Sequence, residues 1–218
     1  MTTFPNSPKL VRGGIVLLDP VSAAVRRIIV LQYNPDTLSR TLQSQAVETG
    51  GGQNRSEALR LKGPPVETIK LEAELDATDQ LEVRNETALA VGVHPELAAL
   101  ESLVYPTSQQ LRANDALAAA GVLEIAPMEA PLSLFVWSKN RIVPVRVTEF
   151  SVTEEAFDPA LNPIRAKVSL GFRVLSVDDV GFSHKAGSLY MAYHQQKEQL
   201  AALSQSGALR ALGVERIP

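Results

Sequence analysis

The sequence predicts a mainly β protein of the α+β class, built as a two-sheet β-sandwich or barrel with a flanking helix and a C-terminal helix. The first observation is the alternation of apolar and polar side chains over residues 164–175, which is typical of a long strand with one buried face. Residues 66–75 alternate in the same way, with a wholly polar outward face. Five further segments bring the number of predicted strands to seven.

The remaining strands follow from shorter or less regular patterns. In chain order they cover residues 14–19, 25–33, 38–47, 132–137 and 142–153. The last of these changes phase, because the valines from Val143 to Val147 share one face whereas Phe150 and Val152 share the other. A β-bulge at Thr148-Glu149 adds one residue and keeps both sets on the buried side.

Three stretches break the strand pattern and predict helices. Residues 94–104 have Pro95 in the first helical turn and are followed by Pro106 as a stop. The alanine-rich stretch after Thr107 predicts a second helix. Residues 187–203 place apolar side chains at helical spacing in a segment rich in Gln, Ala, Lys and Glu, which predicts a C-terminal helix.

The composition is that of an ordinary globular protein with one substantial core. The 218 residues are 45% hydrophobic and 21% charged. No cysteine is present, which excludes thiol catalysis, thiolate metal sites and disulfide scaffolding. We divide the chain into a β domain, 1–180, and a C-terminal helical extension, 181–218.

Charge and hydropathy limit the partners. The net charge of −3 comes from acidic and basic residues that alternate along the chain, so no basic cluster predicts nucleic-acid binding. The N-terminal residues lack the basic and apolar regions of a secretion signal, and no apolar run reaches the length of a membrane span. We therefore expect a chain that is cytoplasmic at synthesis and makes no direct membrane insertion.

No segment has the spacing of a catalytic, cofactor or metal site. The glycine run Gly50–Gly52 lacks the Gly-Lys-Ser/Thr of a P-loop and the strand-turn-helix setting of a dinucleotide loop. The histidines His94, His184 and His194 form no His-Glu-x-x-His pair, and caps or solvated rings explain them more simply. If the strand of residues 142–153 extends that far, the carboxylates of the adjacent Glu154 and Glu155 point to opposite faces and do not converge. We predict no enzyme activity, no catalytic residues, no cofactor and no metal.

Two proline-containing turns are the more informative features. Tyr33-Asn34-Pro35 follows a predicted strand, and the segment from Phe157 to Pro163 precedes the longest one. Asn, Asp and Pro dominate turns for local backbone reasons, so each turn taken alone needs no functional explanation.

Four segments taken together resemble a known family. They are LQYNPDTLSRTL (31–42), PPVETIKLEAELDATD (64–79), the segment from LFVW to VPVRVT (134–148) and AFDPALNPIRAKVSL (156–170). The chain resembles the tube-like proteins of contractile injection systems, the phage-tail-derived particles of bacteria. The resemblance covers most of residues 10–180.

The resemblance implies a phage-tail tube type of fold, in which strands join neighbouring subunits into a continuous ring. The resemblance further implies a component at the junction of baseplate and tube, similar to tube initiator or adapter subunits. Such a ring, expected to be hexameric, connects the spike and hub of the baseplate to the inner tube. Relatives of this kind often carry a C-terminal LysM module, whereas this chain has its predicted helical extension there. We expect the subunit to be incorporated into an injection particle.

Two other functions stay open. The chain is alternatively the building subunit of the inner tube, present in many copies instead of one ring. An alternative from a different functional class is a β-barrel that binds a small molecule in its interior. A closed apolar pocket in a monomer would favour this last function.

Candidate assembly residues follow from the turns, the glycine run and the strand faces. The candidate intersubunit contacts are Tyr33, Asn34, Pro35, Gly50, Gly51, Gly52, Phe157, Asp158, Pro159, Asn162 and Pro163. The candidate lumen or solvent face carries Lys70, Glu72, Lys167 and Arg173. Residues 38–61, interpreted as two hairpin arms interrupted by the glycine run, are expected to reach an adjacent subunit.

Overall fold

A computed structural model describes residues 10–19, 22–46, 60–121, 130–204, 207 and 209–216. Its strands are β1 (Gly14–Leu18), β2 (Val25–Val30), β3 (Leu38–Gln43), β4 (Val66–Asp76), β5 (Leu132–Val136), β6 (Ile142–Phe157) and β7 (Pro163–Val174). They form one antiparallel sheet in the order β2-β1-β5-β6-β7-β4-β3. The mainly β, α+β prediction is confirmed, and each predicted strand is present. The strands make one sheet, however, where two were expected.

The sheet curls around the larger of two buried apolar clusters, here called the main core. Leu17 of β1 and Leu71 of β4 belong to the same buried cluster although three strands separate β1 from β4. In a flat sheet these strands would lie roughly 20 Å apart, because neighbouring strands are spaced about 4.8 Å. The side chain of Gln32, which follows β2, also joins the two ends of the sheet. Its amide oxygen accepts a hydrogen bond from the Asp76 backbone nitrogen at 2.9 Å, and its amide nitrogen donates to the Asp76 carbonyl oxygen at 2.6 Å. Curvature of one sheet thus buries the apolar faces that two packed sheets would bury.

The predicted bulge lies in β6. The pairing register of β6 with β7 shifts between Val147 and Glu149, so that Thr148 has no partner across the ladder. Gly171 lies opposite Glu149, and a Cβ at that position would lie 2.7 Å from the Glu149 Cβ. A glycine therefore lets the bulged strand approach, and the valines before the bulge share the core with Phe150 and Val152 after it.

The β3–β4 hairpin differs from the predicted hairpin in its second arm. β3 pairs with β4 from Leu38 opposite Leu71 to Gln43 opposite Val66. An isolated bridge between Ala46 and Leu61 extends the ladder. The second arm therefore begins at Leu61, whereas the sequence placed both arms within 38–61. Gly50–Gly52 lie outside the described residues.

In the described residues between β4 and β5 there are four helices. They are α1 (Thr78–Glu82), α2 (Glu86–Val91), α3 (His94–Glu101) and α4 (Ser108–Ala119). Helices α3 and α4 confirm the two predicted in this region, whereas α1 and α2 were not predicted. Leu97 and Leu100 of α3 are buried in the main core. Helix α4 begins with a capping box of Thr107 and Gln110 and has no buried residue.

The chain ends in α5 (Val177–Val180), α6 (Lys185–Ala202) and a 3₁₀ turn (Leu209–Leu212). Helix α6 confirms the predicted C-terminal helix, and its Tyr190 and Tyr193 belong to the main core. The division at residue 180 remains a prediction. Among the helices that the structure describes, none is both long enough and apolar enough to cross a membrane.

Candidate functional site

The outward sides of β4, β6 and β7 form a continuous charged surface, here called the polar face. Residues directly opposite one another in a ladder share a face. By this register the polar face contains five basic and five acidic residues. The basic residues are Lys70, Arg146, Arg165, Lys167 and Arg173, and the acidic residues are Glu72, Glu74, Asp76, Glu149 and Glu155. The structure therefore brings together all four residues that the sequence assigned to a lumen or solvent face.

Ion pairs bind the polar face together across strands. Lys70 contacts Glu149, Lys167 lies 3.9 Å from Glu155, and Arg165 lies 3.9 Å from Asp76. Arg173 pairs with Asp179 of α5 at 2.6 Å. Exposed pairs of this kind contribute little stability, about 0–1 kcal/mol each. The more important property of the polar face is its charge balance. It carries as many positive as negative charges, and neither sign dominates along it.

The turn between β6 and β7, residues 157–163, is here called the hairpin tip. Asp158 organises it, because its carboxylate accepts hydrogen bonds from the backbone nitrogens of Ala160 and Asn162, both at 2.8 Å. The side-chain amide of Asn162 donates to the second carboxylate oxygen at 2.8 Å. These hydrogen bonds lower the pKa of Asp158, and the one from the Asn162 side chain has the largest effect. Three hydrogen bonds to one carboxylate therefore close the tip on itself.

The hairpin tip presents apolar side chains to solvent. Phe157 is half exposed and Leu161 is 78% exposed. Leu161 also has a φ of +66°, a left-handed conformation that costs about 1–2 kcal/mol for a residue with a Cβ. Pro163 is fully buried, and its carbonyl accepts from the Val93 nitrogen at 2.9 Å. The tip is thus anchored at Pro163 and exposed at Leu161, a residue that the sequence did not single out.

The turn at Tyr33-Asn34-Pro35 lies beside the polar face. The Asn34 side chain accepts from the Gly13 nitrogen and donates to the Val11 oxygen, both at 2.9 Å, which ties the turn to the segment before β1. Tyr33 is 44% exposed and Pro35 is half buried. A cavity of about 550 Å³ lies between this turn and the Glu72 and Glu74 side chains of β4. The candidate contact residue Tyr33 is thus accessible.

The sheet ends in two different edge strands. In the described part of the chain, β2 pairs only with β1, and β3 pairs only with β4. On β2, the side chains of Val25, Ile28 and Val30 lie on one face by register and are 59%, 63% and 56% exposed. We call these three residues the edge stripe. These residues were not predicted from the sequence. A signal was available, because β-branched residues flank Arg26-Arg27 without the alternation that marks a half-buried strand.

His184, His194 and Asp179 make contacts within or beside their own helices. His184 caps α6 by accepting from the Ala186 nitrogen at 3.1 Å, and His194 lies 3.4 Å from Glu198. Asp179 accepts from the Ser176 nitrogen and hydroxyl in the capping box of α5. Among the described residues, no group of three or more His, Asp or Glu side chains is placed to hold a metal ion.

Comparison with known proteins identifies the family. A sequence profile for the family described as "Contractile injection system tube protein" matches residues 19–179. That range runs from the end of β1 to α5 and includes the polar face, the hairpin tip and both edge strands. No curated protein matches the chain. Because the family profile covers well over half of the sequence, the chain belongs to the contractile injection system tube proteins, a family of structural proteins.

Proposed function

We propose that this chain forms a ring in which the β2 edge of one subunit meets the β3 edge of the next. A contact between two different edges is heterologous, and repetition of a heterologous contact closes into a ring when the rotation allows it. Strand edges carry unpaired backbone donors and acceptors, which favour pairing with another strand. The exposed edge stripe supplies apolar area at the same place. This combination is the observation that carries the proposal.

In the proposed ring, the polar face lines the channel and no enzymatic step is involved. A surface with balanced charge and few apolar side chains stays hydrated and offers a passing macromolecule no single-sign binding surface. The ring is hexameric, as the family resemblance implies. The candidate contacts at Tyr33-Asn34-Pro35 and at the hairpin tip lie at its subunit boundaries, and we include Gly50–Gly52 among these contacts.

We further propose that the ring is a tube initiator or adapter, with the spike and hub on one side and the inner tube on the other. A second candidate, the repeated subunit of the inner tube itself, is favoured by the description of the matching family. The number of copies per purified particle, measured by quantitative mass spectrometry, separates the two. A single ring gives about as many copies as the spike-proximal ring proteins, whereas the tube subunit exceeds them many-fold.

The small-molecule barrel receives no comparable support. Phe135, Phe172 and Ile69 are fully buried and fill the space inside the curled sheet. A barrel that binds a ligand keeps a cavity at this position. In the described residues the centre of the sheet is instead a packed core.

Two charges in the edge stripe are expected to block assembly. The double variant Ile28→Lys/Val30→Lys places ammonium groups where the neighbouring strand would pack, and charge burial there opposes association. We expect the fraction of the variant found in purified particles to fall at least about tenfold, which corresponds to about 1.4 kcal/mol. Far-UV circular dichroism should be unchanged, because both side chains are exposed.

The matched control is Val83→Lys, because Val83 is 76% exposed, follows α1 and belongs to neither edge strand. It should leave incorporation unchanged. Normal incorporation of the edge double variant would exclude β2 as a ring contact.

A further inference from the structure

An apolar groove lies where the beginning of β5 meets β6. It has a volume of about 410 Å³, and a depression of about 190 Å³ continues it past Tyr105. Val104 and Tyr105, at this border, are 44% and 68% exposed. A groove of this size has room for one or two bulky apolar side chains. Its apolar walls are formed by Leu103, Val104, Pro131, Val145, Val147 and Leu175.

The ionisable residues that line the groove are all basic. They are Arg146 and His184, and within the described part of the chain the lining includes no acidic side chain. The Nδ1 atom of His184 accepts from the Ala186 nitrogen at 3.1 Å, so the proton of a neutral ring lies on Nε2, where it can be donated. The groove therefore combines apolar walls with a permanent positive charge and a second hydrogen-bond donor.

Arg146 differs from the other basic residues of the polar face because it has no counter-ion. Each of the others pairs with a carboxylate, and these residues are Lys70, Arg165, Lys167 and Arg173. Among the residues that the structure describes, none forms an ion pair with Arg146. Arg146 also lies directly opposite Arg173 in the β6–β7 ladder, and like charges in that position destabilise a sheet. A carboxylate from outside the subunit would offset this repulsion.

We propose that the groove binds a segment of a different protein of the particle, in which a bulky apolar side chain lies beside an aspartate or glutamate. The apolar side chain enters the groove, and the carboxylate pairs with Arg146. A guanidinium can hold a carboxylate through two parallel hydrogen bonds, which fixes the orientation of the segment. This contact rests on the proposed function, because it takes a neighbour of the ring as the partner. It does not repeat, since the partner is not another copy of this chain.

The chemistry of the groove favours a protein segment over other anionic partners. Nucleic-acid binding depends on clustered cations that neutralise several phosphates, whereas this groove offers one guanidinium and one imidazole. A purely apolar ligand would leave Arg146 without a counter-ion. An apolar anchor in a pocket with an oriented charge pair beside it is the usual arrangement at the centre of a protein interface.

Photo-crosslinking in the assembled particle tests the proposal. The variant Val104→p-benzoylphenylalanine places the photoreactive group in the groove of the full-length chain. After irradiation, mass spectrometry should identify one predominant product with a different particle protein. The crosslinked segment should carry an aspartate or glutamate within about three residues of the attachment point. Val83→p-benzoylphenylalanine is the control, because Val83 is exposed and does not line the groove, and it should not give this product.

Three results would overturn the proposal. The first is a predominant product with another copy of this chain. The second is a crosslinked segment without a nearby carboxylate, and the third is a yield no higher than that of the Val83 control.

Charge reversal separates the role of Arg146 in binding from a role in folding. Arg146→Glu should lower the yield of the Val104 crosslink at least about tenfold. Its thermal midpoint should stay equal or rise, because a glutamate would lie opposite Arg173. Lys167→Glu, the same charge change on the polar face but outside the groove, should leave the yield unchanged. Changing the partner's acidic residue to arginine should restore the crosslink to Arg146→Glu, and a failure to restore it would reject the charge pair.

The groove contact and the ring fail independently. Native mass spectrometry of the purified chain measures ring formation, which Arg146→Glu should leave unchanged because β6 is not an edge strand. Ile28→Lys/Val30→Lys should prevent ring formation. Rings without the expected crosslink would reject the groove contact alone. The expected crosslink from a chain that forms no rings would reject the ring alone.

Discussion

Replacing Gly92 by alanine is expected to destabilise the fold by roughly 2–5 kcal/mol, from left-handed strain and overpacking together. Gly92 ends α2 with φ +56° and ψ −135°, a conformation available almost only to glycine. A Cβ built there would lie 2.2 Å from the Pro163 carbonyl oxygen. That oxygen cannot move aside without cost, because it accepts the hydrogen bond from the Val93 nitrogen.

The matched control is Gly181→Ala. Gly181 ends α5 with φ +76°, and a Cβ there would meet nothing within 4 Å. It therefore measures dihedral strain without the clash and should cost about 1–3 kcal/mol. Urea unfolding of both variants gives the difference between their free energies of unfolding. A Gly92→Ala variant that loses no more stability than Gly181→Ala would mean that the close approach to Pro163 can relax freely.

The strands were predictable because their signal is local. Alternation of buried and exposed side chains is fixed by the two-residue repeat of the strand, so β4 and β7 could be placed within one or two residues. The bulge at Thr148 was visible as a reversal of phase within the same segment. The same alternation correctly put Lys70 and Lys167 opposite the buried side chains of their strands.

Other features depend on contacts that no local pattern encodes. Helices α1 and α2 have five and six residues, too few to show a helical period. Periodicity gives the buried side of each strand but not the curvature of the sheet, so one curled sheet and two packed sheets predict the same pattern. The exposure of the edge stripe likewise depends on the strand order, which places β2 at an edge.

The candidate contacts show the same limit. The proline turn at 157–163 was found from its residue types, which act locally. The burial of Pro163 and the exposure of Leu161 depend on α2 and α3, which cover one side of the turn and leave the other free. The ion pair of Lys70 with Glu149 joins residues 79 positions apart and is set by strand order alone.

Glu67→Gln is expected to cost roughly 2–3 kcal/mol at pH 7, through loss of a buried ion pair with partly exposed partners. Glu67 is only 3% exposed, on the inward face of β4. Its carboxylate accepts from Arg40 of β3 and from Lys197 of α6, both at 2.8 Å, and from the Tyr193 hydroxyl at 3.1 Å. A neutral amide would leave two cations without their counter-ion and loosen α6 from the edge strand.

The pH dependence identifies the cause. Burial alone would raise the pKa of Glu67, but the hydrogen bond and charge of Lys197, together with those of Arg40, outweigh it and hold the pKa below its ordinary 4.5. The folded state therefore binds this proton less tightly than the unfolded state. The stabilisation is complete well above pH 4.5 and is lost as the pH falls below that value. The glutamine variant has no proton to gain at this position.

Urea unfolding at pH 7, 5, 4 and 3 should show that the free energies of unfolding of the natural chain and of Glu67→Gln converge as the pH falls below 4.5, the ordinary pKa of Glu67. Glu72→Gln is the control, because Glu72 lies on the same strand but on the exposed polar face. It should cost about 0.5 kcal/mol or less at every pH, as exposed surface substitutions do. If the difference in free energy of unfolding between the natural chain and Glu67→Gln stayed constant down to pH 3, the stability would come from packing around Tyr193. Convergence would assign it to the charge that joins α6 to β3 and β4.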